Sequence, residues 1–210
     1  NRDEFHARPT RPLARWEDDP RVVGGRDALH GGGWLALRGA RLAAVTNVRE
    51  GRQGDAEGRS RGALVAGFVS ADHTAQEAIA AVAAEASAYR PFNLLLHDGE
   101  TLAWTSNRHD GRADLLDPGV HGLSNGPLGA PWPKVERLRT VLADWLARDC
   151  DDDAALFEAL ADDTPADDDA LPDTGVGLAL ERMLSPAFIR GAHYGTRAST
   201  VVRIGHTVVH

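Results

Sequence analysis

Between residues 92 and 105 two short apolar runs, Phe92-Asn93-Leu94-Leu95-Leu96 and Leu102-Ala103-Trp104-Thr105, flank the pair Asp98-Gly99. Runs this short do not make a buried helix, and an Asp-Gly pair supplies the backbone that a tight hairpin needs. The segment therefore predicts two antiparallel strands and confines the fold to classes that contain antiparallel sheet. The first third of the chain follows the same rules. Trp34-Leu35-Ala36-Leu37 and Arg41-Leu42-Ala43-Ala44-Val45 predict a hairpin turning at Gly39, after which Thr46-Asn47-Val48-Arg49-Glu50-Gly51 leaves the sheet. Gly24-Gly25-Arg26-Asp27 and Gly31-Gly32-Gly33 read as punctuation between short apolar stretches. Residues 119–125 read as one more strand, and residues 194–204 as a last one with its apolar side chains inward.

Two segments depart from this pattern. From about 74 to 89, Ala75, Ala78, Ile79, Val82 and Ala86 recur at helical spacing, and Arg90-Pro91 ends the run because proline disfavours helix in the residue before it. Pro133 opens a second helix, on which Val135, Leu138, Val141, Leu142, Trp145 and Leu146 form one stripe. Hairpins covered by two helices predict an α+β architecture. Trp34, Trp104, Trp132 and Trp145 sit in apolar patterns and are assigned to cores.

Length and composition restrict function. The chain's 210 residues suffice for one sizeable core, and no internal repeat is visible. No apolar run reaches the roughly 20 residues that span a bilayer, so no membrane span is expected. A net charge of -8 argues against a nucleic-acid partner, which needs a basic face to neutralise phosphates. Lys134 is the only lysine, a bias towards arginine that suits a bacterial genome. The single cysteine, Cys150, rules out an intramolecular disulfide framework, and its aspartate neighbours raise a thiol's pKa, so it is read as a bystander at a helix end. No secretory leader is recognisable, and a cytoplasmic location is expected. The glycine run lacks the following helix and Lys-Ser/Thr pair of a phosphate loop. The acidic stretch 149–173, with a helical fragment at 154–160, lacks the spacing of a calcium loop and reads as a solvated excursion. His206 and His210 can share a strand face, but surface or turn histidines are the default and no metal is expected.

Four polar clusters lie beside predicted strand ends, where binding groups are commonly mounted: Asn1-Arg2-Asp3-Glu4, Thr46-Asn47, Ser124-Asn125-Gly126 and Gly195-Thr196-Arg197. Asn1-Arg2-Asp3-Glu4-Phe5 with Arg8-Pro9-Thr10, Gly25-Arg26-Asp27 before Gly32-Gly33-Trp34-Leu35, and Leu42-Ala43-Ala44-Val45-Thr46-Asn47-Val48-Arg49 follow one another in order. Pro91-Phe92-Asn93-Leu94-Leu95, Gly122-Leu123-Ser124-Asn125 with Pro131-Trp132-Pro133-Lys134, and Tyr194-Gly195-Thr196-Arg197 with Ser199-Thr200 complete the series. In this series the chain resembles the NRDE family of transport and Golgi organisation 2-like proteins, across nearly its whole length.

That family in turn resembles the Ntn hydrolases of the bile-salt hydrolase and penicillin acylase branch, and the resemblance implies a four-layer αββα sandwich of antiparallel sheets. In that branch an N-terminal cysteine is the nucleophile and its own α-amine the base, which is chemically apt because an α-amine titrates near pH 8. By the same resemblance Arg2 and Asp3 match the arginine and aspartate beside the nucleophile. Asn47 matches an oxyanion-hole asparagine, Asn125 the second asparagine and Arg197 the late arginine of the site. The Met-Cys strand that opens the family is missing, Cys150 does not replace it, and both ends are expected to be cut. The whole of 1–210 is then expected to be one NRDE domain without its cysteine-bearing strand, incompetent for Ntn chemistry as written. Three functions remain open: a binding or carrier pocket for a small-molecule ligand, a cysteine-dependent acyl or amide hydrolase when the cysteine is present, and a structural protein with a relic site. The first is favoured. It requires no cofactor, and the resemblance implies haem or an acyl-CoA or lipid as the ligand.

Overall fold

The computed structural model describes residues 1–51, 58–108, 113–148 and 151–205. Cys150, His206 and His210 lie outside the described residues. Seven strands form an antiparallel sheet in chain order: β2 (Thr10–Arg15), β3 (Val22–Asp27), β4 (Gly33–Arg38), β5 (Arg41–Asn47), β6 (Phe92–His97), β7 (Leu102–Ser106) and β8 (Ala113–Leu116). Each strand follows its neighbour by a local connection except at β5–β6, where residues 48–91 intervene. A second, two-stranded sheet pairs β1 (Arg2–Phe5) with β9 (Tyr194–Ala198), also antiparallel. The five helices among the described residues are α1 (Gly62–Ser70), α2 (Ala75–Ala84), α3 (Pro133–Ala147), α4 (Ala154–Leu160) and α5 (Leu178–Met183). The α+β class with antiparallel sheets is as the sequence predicts. Among the described residues no helix is long and apolar enough to cross a membrane.

The described residues group into two compact units. The sheet unit holds residues 9–48, 58–108, 113–118 and 204–205. Its core is one face of the seven-stranded sheet covered by α1 and α2. Phe92, Leu94 and Leu96 of β6 pack with Val22, Ala36, Ala43 and Ala103 of neighbouring strands and with Val65, Val69 and Ile79 of the helices. Alternation in the strands places these residues on one face. Both predicted hairpins form. Gly39 turns β4 into β5 at φ +58, and Gly99 sits at φ +112 between β6 and β7. Asp98 fastens this second turn, accepting from the backbone N–H groups of Glu100 and Thr101, while its other oxygen accepts from Ala75 N–H at the start of α2. Thr74 and Glu77 close a capping box there.

Three expectations are corrected here. Gly24 and Gly25 are inside β3 rather than between strands: a Cβ on Gly25 would lie 2.0 Å from the Trp34 ring, so glycine lets the indole lie against the strand. Helix α1, absent from the sequence reading, buries Leu64, Val65, Phe68 and Val69. The helix expected over 74–89 ends at Ala84 and is followed by a single 3-10 turn, Ala86–Ala88.

The second unit holds residues 1–8, 49–51, 119–148 and 151–203. Apart from β1, β9 and α3–α5 it is built from irregular chain. Helix α3 runs as predicted from Pro133, and the helical fragment in the acidic stretch is α4. Residues 119–125 are not a strand. They lie as loop against α3, where a Cβ on Gly122 would meet Val135 at 2.4 Å, and close contact with a helix replaces a ladder. The last predicted strand stops at Ala198, six residues short of Ile204.

Candidate functional site

The pairing of β1 with β9 joins the first polar cluster to the last. Asp3 lies opposite Thr196, and the Thr196 hydroxyl donates to the Asp3 carboxylate at 2.5 Å while accepting from Ile189 N–H at 2.9 Å. On the same face Phe5 lies opposite Tyr194, their rings edge-on at 5.2 Å. Burial and the charges of Asp3 and Glu4 push the Tyr194 phenol up to about 12. Arg197, one residue beyond Thr196, projects from the opposite face of the ribbon. Its guanidinium donates to the carbonyls of Arg8 (2.6 Å) and Phe5 (3.2 Å), clasping the turn that follows β1. Arg2 is largely buried, with Glu4 at 3.8 Å, and Glu4 also faces Arg8 at 3.4 Å.

A second constellation lies in the same unit. Arg49 and Glu181 form a buried ion pair at 2.6 Å, their side chains 5% and 3% exposed. The other Glu181 oxygen accepts from the N–H and hydroxyl of Thr174. Burial alone would raise the Glu181 carboxyl, but these donors and Arg49 hold it below the usual range. Arg49 also stacks over Trp132 at 4.9 Å, and its N–H donates to the carbonyl of Asn125 at 2.7 Å. Close backbone approach keeps these segments in place: a Cβ on Gly51 would lie 2.3 Å from the Gly175 carbonyl oxygen. Lys134, the second residue of α3, is 8% exposed and donates to the Leu184 carbonyl at 2.9 Å. Burial, then the charge of Arg49, lowers its ammonium to about 8 against the opposing pull of Asp3 and Glu181.

Of the residues singled out in the sequence, Arg2, Asp3, Asn125 and Arg197 belong to this unit. Asn125 is half-buried and presents its carbonyl to Arg49. Asn47 belongs to the sheet unit, as the exposed last residue of β5 opposite Phe92. Sequence reasoning passed over Arg49, Lys134, Glu181 and Tyr194 as site residues. Lys134 carried a signal, being the one lysine in a chain with 23 basic residues. Arg49 and Tyr194 stood inside quoted motifs, whereas nothing local marks Glu181. Among the described residues no group of three His, Cys, Asp or Glu side chains is placed to hold a metal ion.

A family model described as Transport and Golgi organisation 2 matches residues 1–208. The chain is 33% identical over 232 residues to the Transport and Golgi organization protein 2 homolog of Bos taurus, covering 97% of this chain and 80% of that protein. The human homolog of the same name is 32% identical over 229 residues, and the Transport and Golgi organization 2 homolog of Mus musculus 29% over 227, with the same coverage.

Proposed function

Because the chain belongs to the Transport and Golgi organisation 2 family, the NRDE family of the motifs above, we propose that it binds and carries a small ligand of the haem or acyl-CoA and lipid class, within the cytoplasm. The observation that carries this reading is the buried polar constellation of the second unit. Asp3 is oriented by Thr196, and Lys134 and the Arg49–Glu181 pair are sealed from water beside the aromatic Trp132. Buried charge is costly, and hydrophobic replacement of such a pair is often neutral or stabilising, so a polar interior of this kind is better explained by a ligand than by stability. An aromatic face and cationic groups suit a flat or acyl ligand that carries carboxylate or phosphate.

The test is titration of the protein, expressed from its complete reading frame, with haem and separately with an acyl-CoA. Asn125→Ala is expected to weaken binding about fivefold, the worth of one lost hydrogen bond, with the fold intact. A silent Asn125→Ala, or one that unfolds grossly, overturns the assignment of this position. Saturable stoichiometric binding without turnover supports carriage.

A second reading, a cysteine-dependent acyl or amide hydrolase, is favoured by one detail: Asp3 is held rigidly on the strand that would follow a nucleophilic cysteine. Intact-mass measurement before and after native thiol alkylation separates the two. A product that starts with cysteine and is alkylated there ahead of Cys150 favours hydrolysis, and an unreactive product favours carriage.

A further inference from the structure

The Nδ1 nitrogen of His97, the last residue of β6, has two neighbours that make opposite demands on it. The Ala40 carbonyl lies 3.1 Å away and can only accept, while the Gly99 N–H meets the same nitrogen at 3.2 Å and can only donate. A ring nitrogen either carries a proton or offers a lone pair, so the two bonds exclude each other. They come from two hairpin turns, Ala40 from the one between β4 and β5 and Gly99 from the one between β6 and β7. The turns touch, since a Cβ on Gly99 would lie 3.4 Å from the Ala40 methyl. The register sets His97 opposite Leu42 of β5 and Leu102 of β7, on the sheet face away from Leu96 and the helices. The charged residues of β5, β6, β7 and the two turns are Arg41, Asp98 and Glu100, with Arg38 ending β4. Arg38 and Arg41 are engaged by the carbonyls of Phe68, Ala71 and His73 and by the Asp72 carboxylate. Asp98 accepts from three backbone N–H groups, and Glu100 is exposed.

We propose that His97 is a proton-driven switch between the two turns. With the ring neutral, its proton sits on Nε2, and Nδ1 accepts from Gly99 N–H and closes the β6–β7 turn on itself. On protonation Nδ1 changes from acceptor to donor. The Gly99 bond is lost, and a charge-assisted bond to the Ala40 carbonyl ties one hairpin to the other. One proton is taken up, and the ring need not leave its place. Imidazole is the side chain whose charge ordinarily changes between about pH 5 and 8. The turn that lets go is also the one that anchors a helix, because Asp98 within it accepts from Ala75 N–H at the start of α2.

The full chain, labelled with nitrogen-15, is observed by NMR at about pH 5 and about pH 8.5, on either side of the imidazole range. At the upper pH the Nδ1 shift of His97 is expected to be that of an unprotonated nitrogen, with the Gly99 amide protected from hydrogen exchange. At the lower pH both ring nitrogens carry protons. Gly99 protection, taken relative to its intrinsic exchange rate at each pH, is then expected to fall about fivefold, the worth of one hydrogen bond. His97→Phe keeps a ring but neither bond, and is expected to leave Gly99 protection low and equal at the two pH values. A proton on Nδ1 at the upper pH, or Gly99 protection that survives acidification, overturns the proposal. So does a fall shared equally by the Leu94 and Leu96 amides, which marks general loosening of the sheet.

Discussion

The two units solve the problem of a stable interior differently. The sheet unit encloses mainly apolar side chains: Phe92, Leu94, Val22, Val65 and Val69 are shut away from solvent, and the polar residues it also buries include Asn93, which donates to the Thr46 hydroxyl, and Ser106, which donates to the Phe92 carbonyl. The second unit joins its two strands and three helices by long irregular segments. It is pinned by Arg49 with Glu181, Lys134 with a carbonyl, Asp3 with Thr196, and glycines that let backbones touch. An apolar core tolerates any residues of suitable volume and pattern. A core of directional contacts tolerates few, because each deleted partner leaves another buried and unpaired. The chemistry of this molecule is therefore sought where the interior is polar.

The sharpest way to break this contrast is to damage each interior by its own weakness. Phe92→Ala in the sheet unit is expected to lower unfolding stability by about 3–5 kcal/mol through lost burial and the cavity left behind. Arg49→Ala in the second unit is expected to cost a similar amount, about 3–5 kcal/mol, for a different reason: Glu181 is left buried without its cation. The double substitution Arg49→Met with Glu181→Leu distinguishes them. It is expected to recover most of the loss, leaving about 1–2 kcal/mol for the two Thr174 donors that lose their acceptor. Urea unfolding of the three variants, with hydrogen exchange to assign each loss to its unit, checks this. If Arg49→Ala costs less than about 1 kcal/mol, the polar interior is not what holds its unit together.

The same contrast explains what was legible in the sequence. The hairpins at Gly39 and at Asp98-Gly99 were readable because turn and flanking strands are local, and Val135 with Leu138 was readable because a helical stripe repeats within a few residues. Helix α1 was missed because Gly62 and Gly67 dilute its pattern, although Leu64, Val65, Phe68 and Val69 bury one side. Residues 119–125 alternate like a strand, but only the distant Val135 decides that Gly122 packs against a helix. The site is less local still. Asp3 and Thr196 are 193 residues apart, and Arg49 and Glu181 are 132 apart. No periodicity connects such pairs. The family resemblance named Arg2, Asp3, Asn47, Asn125 and Arg197 as candidates, and the second unit adds Arg49, Lys134 and Glu181 to consider beside those of its own residues.

Titration sharpens the comparison within the second unit. Lys134 has a folded pKa below its unfolded value, about 8 against 10.5, so in this window the unfolded chain binds more protons. Stability therefore rises with pH from about 8 to 10.5, as a penalty present throughout the neutral range is relieved. The expected size is up to about 3 kcal/mol. Tyr194 acts with the opposite sign. Its folded pKa is raised to about 12 from 10, so its contribution is complete below pH 10 and is lost as pH climbs towards 12. Urea titrations across this range should show a rise and then a fall. Lys134→Met is expected to remove the rise, and Tyr194→Phe to soften the fall. A wild-type profile that is flat from pH 8 to 10 counts against the buried amine.

Two threonines give the smallest effects and the finest comparison. Thr196 is a junction in the second unit: its hydroxyl links Asp3 to the backbone of Ile189, so Thr196→Val strands a carboxylate and an N–H together. The expected cost is about 1–3 kcal/mol. Thr74 only caps a helix in the sheet unit. Its hydroxyl accepts from Glu77 N–H at 3.2 Å at an exposed helix start, and Thr74→Ala is expected to cost about 1 kcal/mol. Serine separates the roles. Thr74→Ser keeps the cap oxygen and should be nearly silent. Thr196→Ser keeps the hydroxyl but frees its rotamer in a strand, where β-branched residues are favoured, and should retain only part of the wild-type stability. Thermal unfolding of the four variants tests this, and a Thr196→Ser as silent as Thr74→Ser would mean that Asp3 is held by the hydroxyl alone.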